Sequence, residues 1–249
     1  MKNLLLIVPL LLALCCTGQK ASFNEIKLRP AKRNFNTQET TIIFPIVVTG
    51  NASTDKLINA QVKTDVFYLE DTIPATRDIL KENIEDNGLI NLSYKVTFNK
   101  NGLLSFFIDA EGCGAHCSSW KTYFNFDLKT GKKIPVDDLF LQNKTDSFKN
   151  MVRENKINAL KKYKEEEKDN FINKTIDSVE YEWSISLVDE NCINSISIEN
   201  FSLLDGVIEI IDPCEFPNAI RSQQPYFELK YAYKNIEESL NPAFRLILK

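Results

Sequence analysis

Between Leu92 and Leu128 the chain alternates apolar and polar residues three times over, and that period admits little besides an antiparallel sheet. Leu92, Tyr94, Val96 and Phe98 alternate with Ser93, Lys95 and Thr97. Asn99-Lys100-Asn101-Gly102 supplies a hairpin turn, Leu104, Phe106 and Ile108 resume the pattern, and Trp120, Thr122, Phe124, Phe126 and Leu128 repeat it. A period of two puts one side of each strand on a core and the other on water. Three such strands with short connections predict a meander with one apolar face to cover.

Lys56 to Leu69 carries Leu57, Ala60, Val62, Val66 and Leu69 at a spacing nearer a helical turn, so it is read as the covering helix, capped by Thr54 or Asp55. Thr41 to Thr49 is rich in Ile and Val, and Pro45 within it predicts an edge strand or a bulge. Pro74 marks a break, with Ala75 to Ile84 as a second helical piece. Thr145 to Asp169 reads as the longest helix, with Phe148, Met151, Val152, Ile157 and Leu160 as its apolar stripe and Lys161 to Lys168 as a solvated charged face. Beyond it Tyr181, Trp183, Ile185 and Leu187 alternate like a strand. Ser195 to Phe201, Val207 to Ile211 and Phe227 to Tyr233 follow as strands, Ile236 to Leu240 as a short helix, and Phe244 to Leu248 as an extended end. Helix plus meander thus occurs twice. The predicted class is α+β, with two related halves, 41–140 and 141–249, each an antiparallel β-meander covered by helix.

The N-terminus has the grammar of export: Met1-Lys2-Asn3, an apolar run from Leu4 to Leu14, then Cys15-Cys16 before the polar Thr17-Gly18-Gln19-Lys20. The run is well short of the roughly 20 residues that cross a bilayer, so a removed signal at 1–16 is expected. Ala13-Leu14-Cys15-Cys16 looks like a degenerate lipobox with Cys16 as the lipidated residue, Cys15 being the competing choice. An ordinary signal cleaved nearer Ala21 is the alternative. Residues 17–40, polar and interrupted by Pro30, are read as a tether and an approach strand. Lipid on the cysteine would hold the chain to a membrane. The absence of an acidic run after it leads to the expectation of a periplasm-facing anchor in a bacterial envelope.

The formal net charge of −4 leaves no basic footprint, which argues against nucleic acid and acidic polymers as partners. Apart from Cys15 and Cys16 four cysteines remain, Cys113, Cys117, Cys192 and Cys214, and an even number in an exported chain reads as two disulfides with three possible pairings. Cys113–Cys117 and Cys192–Cys214 are favoured. The second follows from a hairpin at Asp205-Gly206, whose strand ends would bring Cys192 and Cys214 together. A metal held by Cys113, Cys117 and His116, the single histidine, would want a fourth ligand, and no second cluster lies near in sequence. No metal and no cofactor is expected.

Gly114-Ala115-His116, then Tyr123-Phe124-Asn125-Phe126-Asp127-Leu128, then Thr130-Gly131-Lys132-Lys133-Ile134-Pro135-Val136-Asp137-Asp138-Leu139-Phe140 resemble the signature of the RsiV/PdaC-type extracellular domain family, which carries the domains of unknown function DUF3298 and DUF4163. Ile198-Glu199-Asn200-Phe201-Ser202-Leu203-Leu204-Asp205-Gly206-Val207-Ile208 and Pro225-Tyr226-Phe227-Glu228-Leu229 are similar to its second element. The resemblance covers most of Thr41 to Pro242. It implies an envelope binding module whose candidate partners are peptidoglycan, a muramidase such as lysozyme, or another envelope protein.

No Gly-x-Ser-x-Gly elbow, paired-histidine motif or phosphate-cradling glycine loop is present, so a non-catalytic role is expected. Asp109, Glu111 and Asp127 are the carboxylates that would have to converge for glycoside chemistry. The loop Gly112 to Trp120, with Gly114, His116 and Trp120, is the candidate binding loop, and packing of Trp120 into the core is the competing reading. Alternatives to a binding module are a structural or assembly lipoprotein, and an accessory to a carbohydrate hydrolase or deacetylase.

Overall fold

Ser22–Leu28 (β1) lies antiparallel to Ile42–Val48 (β2) along its whole length. The fold is taken from a computed structural model that describes residues 18–30, 41–69, 74–114, 117–174, 177–192, 197–214, 216 and 224–248. The segment expected to be a signal, with Cys15 and Cys16, and His116 lie outside the described residues. β1 falls in the segment read as a tether. Its Phe23, Ile26 and Leu28 pack against the core, which is why this polar stretch is ordered into the sheet.

Ala52–Phe67 (α1) and Thr76–Glu85 (α2) follow, then Leu89–Lys100 (β3), Leu103–Cys113 (β4) and Cys117–Asp127 (β5). The five strands form one sheet in the order β1-β2-β3-β4-β5, antiparallel except where β2 meets β3 in parallel at Ile42 and Leu92. α1 is capped by Asn51, whose side chain accepts from Ser53 N and Thr54 N, in place of the expected Thr54 or Asp55. Ile58, Val62 and Val66 of α1 cover Phe44, Leu92, Leu104, Phe106, Phe124 and Phe126 on the first face of the sheet, as the alternation required.

Two details depart from the pattern. Pro45 sits inside the strand order instead of on its edge. Two residues on, with its main chain facing the same way, Val47 turns its N–H and C=O to the side chain of Asn59 on α1, at 2.8 Å each. The missing proline N–H therefore falls on a side of β2 that a helix side chain covers in place of a strand. The second departure is a bulge between Val96 and Phe98, which sets Phe98 opposite Ser105. Phe98 thereby leaves the face of Leu92 and joins the opposite core with Leu103.

That second core is built by the rest of the chain. A 3₁₀ turn at Val136–Leu139 leads to Thr145–Ile172 (α3) and Ser178–Cys192 (α4). Phe201–Leu204 (β6), Val207–Pro213 (β7) and Tyr226–Ala232 (β8) then make an antiparallel three-stranded sheet. Tyr233–Ile236 (α5) and Pro242–Ile247 (α6) end the fold. Phe148 and Val152 of α3 pack on Leu203, Ile208, Ile210 and Tyr231, together with Phe98, Leu103, Ile134 and Val136 from the N-terminal part. The architecture is α+β, with a helix-covered meander in each part and this core shared between them.

Four elements correct the sequence reading. Tyr181 to Leu187 is helix, not strand: inside α4 the buried positions are Leu187, Val188 and Cys192, a helical stripe, while Trp183 is exposed. Phe244 to Leu248 is mostly the helix α6, capped by the Asn241 side chain and opened by Pro242 at its first turn. On α3, Ile157 is 38% exposed and its neighbour Lys156 is 1% exposed, because Asp212 on β7, equally buried, stands 3.0 Å from the ammonium. Of the strand expected at Ser195 to Phe201, only Phe201 is in β6, and Ile196 lies outside the described residues.

Candidate functional site

Both expected disulfides are formed, Cys113–Cys117 at the tip of the β4–β5 hairpin and Cys192–Cys214 between the end of α4 and the residue after β7. The second pairing therefore joins a helix end to a strand end, and not the two ends of one hairpin. Cys113 N–H donates to Gly88 O at 2.9 Å, and Gly88 has φ +69° with the Cys113 carbonyl 2.1 Å from where a Cβ would be, so only glycine fits there. In the candidate loop Gly114 is exposed, His116 lies outside the described residues, and Trp120 is half-buried. The Trp120 ring packs against the first core and lies over Gly112, where a Cβ would come within 3.3 Å of it. The described part of the loop thus brings its aromatic to the sheet and leaves Gly114 and Cys117 exposed at the tip.

Asp109 and Glu111 are two residues apart on one face of β4, but Asp127 does not converge with them. Asp109 pairs in register with Lys121, and Asp127 with Leu103, six residues along β4 from Asp109 and hence about 20 Å away. Asp127 instead closes a turn, its Oδ1 accepting from Lys129 N at 2.7 Å and Thr130 N at 2.9 Å. Among the described residues no group of three or more His, Cys, Asp or Glu side chains is arranged to hold a metal ion.

A different place gathers the two motif segments. A groove of about 780 Å³ is lined by Tyr123 and Asn125 of β5, by the 133–137 segment, by Lys149 of α3 and by Ser197, Ile198, Glu199 and Phe201. The fold makes it in three steps. The Lys133 segment folds back on β5, with Ile134 N–H donating to Asn125 O at 2.8 Å. Ile134 and Val136 then drop into the second core, which ties that wall down. Finally the free edge of β6 is laid on the second face of the first sheet: Asn125 Nδ2 donates to Phe201 O at 2.8 Å, and Leu203 N–H donates to Ser105 Oγ at 3.0 Å.

The groove has a buried polar residue in its wall. Asn125 is 2% exposed, and its Oδ1 accepts no hydrogen bond among the described residues. Lys133 is held by Asp65 at 2.7 Å and lies 5.8 Å above the Phe124 ring, and Lys149 is held by Asp137 at 3.3 Å. Glu199 is exposed at the rim. Tyr123 ionises well above the usual phenol range, because it is buried and because the carboxylates of Glu228, Glu209 and Asp109 oppose a phenolate. Glu209 and Glu228 come from the face of the second sheet opposite Ile208 and Ile210. The Tyr123 hydroxyl is consequently a neutral hydrogen-bonding group on the groove wall.

The sequence reading placed Tyr123 and Asn125 on the water-facing side of a strand and gave them no role. A polar asparagine between Phe124 and Phe126 was the available signal, since its side of β5 is closed by β6, a strand remote in sequence.

This is an α+β fold with two sheets, and solved proteins share it. A member of the DUF3298 family from Bacteroides fragilis superposes with a TM-score of 0.58 at 18% identity, covering 93% of this chain and 99% of that one. A DUF3298 family protein from Pseudomonas aeruginosa superposes with a TM-score of 0.55 at 12% identity, covering 91% and 96%. At these identities the likeness is one of fold, and it agrees with the resemblance carried by the motif residues. No protein-family model and no curated protein matches the chain.

Proposed function

We propose that the chain is a lipid-anchored, non-catalytic binding module of the bacterial cell envelope, and that the groove around Tyr123 and Asn125 is its contact site for peptidoglycan or for a muramidase such as lysozyme. The observation that carries this reading is the convergence on one groove of the two separated segments that resemble the RsiV/PdaC-type family. Two formed disulfides suit an exported chain. The test is co-sedimentation of the purified chain with isolated sacculi, with and without added lysozyme. Retention that lysozyme competes for, or direct capture of lysozyme, is the expected result. Failure to bind either overturns the reading and leaves an assembly lipoprotein with another envelope protein as partner.

A further inference from the structure

Cations already present in the groove are committed. Lys133 and Lys149 each face a carboxylate, Asp65 and Asp137, so neither offers a free charge to an anionic ligand. What the groove does offer are acceptors. Asn125 Oδ1 is buried and accepts from nothing among the described residues, and a buried carbonyl left in that state carries a desolvation cost that a ligand donor would recover. Glu199 adds a carboxylate at the rim with no ion pair among the described residues. Beyond Tyr123, Glu209 and Asp109 are paired with Lys230 at 3.1 Å and Lys121 at 3.9 Å, which leaves Glu228 as the exposed carboxylate outside these pairs. The walls are aliphatic and aromatic, Ile134, Pro135, Val136, Ile198 and Phe201.

A buried acceptor, aliphatic walls and the exposed carboxylates of Glu199 and Glu228 together fit one chemistry: an ammonium group on an alkyl stem. The stem packs on the walls while the head takes acceptors and meets the carboxylates. We propose that the groove takes a lysine-type side chain, an alkylammonium presented by a peptide backbone, with Asn125 and Glu199 as its acceptors. The groove volume accommodates the side chain with part of its backbone on either side. The inference rests on the groove being the contact site and names what it recognises there.

The probe is a short lysine peptide with blocked ends, titrated into the full chain and followed by amide nuclear magnetic resonance. Controls are the same peptide with its ammonium groups acetylated, a blocked glutamate peptide and an N-acetylglucosamine oligomer. The expected result is a saturable shift of the Asn125 side-chain amide and of the Val136 and Ile198 backbone amides with the lysine peptide only. It weakens severalfold between about 50 and about 500 mM salt. It also weakens in the double variant Glu199→Gln/Glu228→Gln, whose two positions are exposed and whose melting temperature should stay unchanged. Equal binding of the acetylated or glutamate peptide, binding of the sugar oligomer alone, or no shift at these residues overturns the proposal. If sacculi or lysozyme are captured while the lysine peptide leaves the groove unmoved, the binding-module reading stands and this ligand chemistry falls.

Discussion

The carboxamide of Asn59 pairs with both main-chain groups of Val47: the Val47 N–H donates to Oδ1 and Asn59 Nδ2 donates to the Val47 carbonyl, each at 2.8 Å. A side chain on α1 thus does for β2 what a neighbouring strand would do. Asn99 repeats the device on Ala21, at 2.9 and 2.8 Å. Replacing Asn59 by leucine strands two main-chain groups beside a fully buried residue, and should lower stability by about 1–3 kcal/mol. Urea unfolding of Asn59→Leu checks this, and a change within a few tenths of a kcal/mol, on the order of ordinary surface substitutions, would refute it.

Lys156 and Asp212 are buried together, so removing one partner differs sharply from removing both. Lys156→Met leaves a carboxylate in the core and is expected to cost about 3–5 kcal/mol, whereas Lys156→Met combined with Asp212→Leu should recover most of that loss. Thermal or urea unfolding of the two variants decides it. A double variant as unstable as the single one would show that the loss comes from packing and not from the stranded charge.

The two disulfides differ in their exposure to a thiol. Cys192 and Cys214 are fully buried, whereas Cys117 is exposed at the hairpin tip beside buried Cys113. Under mild reductant at neutral pH, with the fold intact, Cys113–Cys117 should open first. Alkylation followed by peptide mass spectrometry should find label on Cys113 and Cys117 well before Cys192 and Cys214. Simultaneous labelling of all four would mean that reduction proceeds through global unfolding.

Burial and nearby carboxylates move the ionisation of Tyr123 to higher pH, and burial does the same for Tyr233, whose hydroxyl donates to Leu204 O at 3.0 Å. In the unfolded chain a phenol ionises near pH 10. The folded state therefore holds protons that the unfolded state has released, so stability is full below about pH 10 and falls as pH rises above it. Tyr123→Phe should flatten this alkaline decline, measured as the urea midpoint between about pH 9 and about pH 11. An equally steep decline in the variant would assign it to other groups.

The meander and its covering helix were legible because a period of two ran through most of Leu92 to Phe126 and Val62 and Val66 marked a helical face. That face nevertheless runs through Ile58 and leaves Leu57 56% exposed, and the bulge at Val96 shifts Phe98 to the other core. Where periods were short the reading failed for physical reasons. Four alternating residues from Tyr181 to Leu187 are too few to separate a strand from a helix whose buried side is set by Leu187, Val188 and Cys192. Lys156 could not be read as interior, since its partner Asp212 lies on another element. The groove was invisible for the same reason: Asn125 becomes a buried lining residue only when β6 comes down on it.

That placement of β6 has a further consequence. An edge strand normally presents main-chain donors and acceptors that can recruit another chain and start aggregation. In β6 the edge turned away from β7 is closed, because Ser105 and Asn125 occupy Leu203 N–H and Phe201 O. Among the described residues the other end of the second sheet is β8, where Lys230 and Glu228 are exposed charges of the kind that discourage strand-to-strand association.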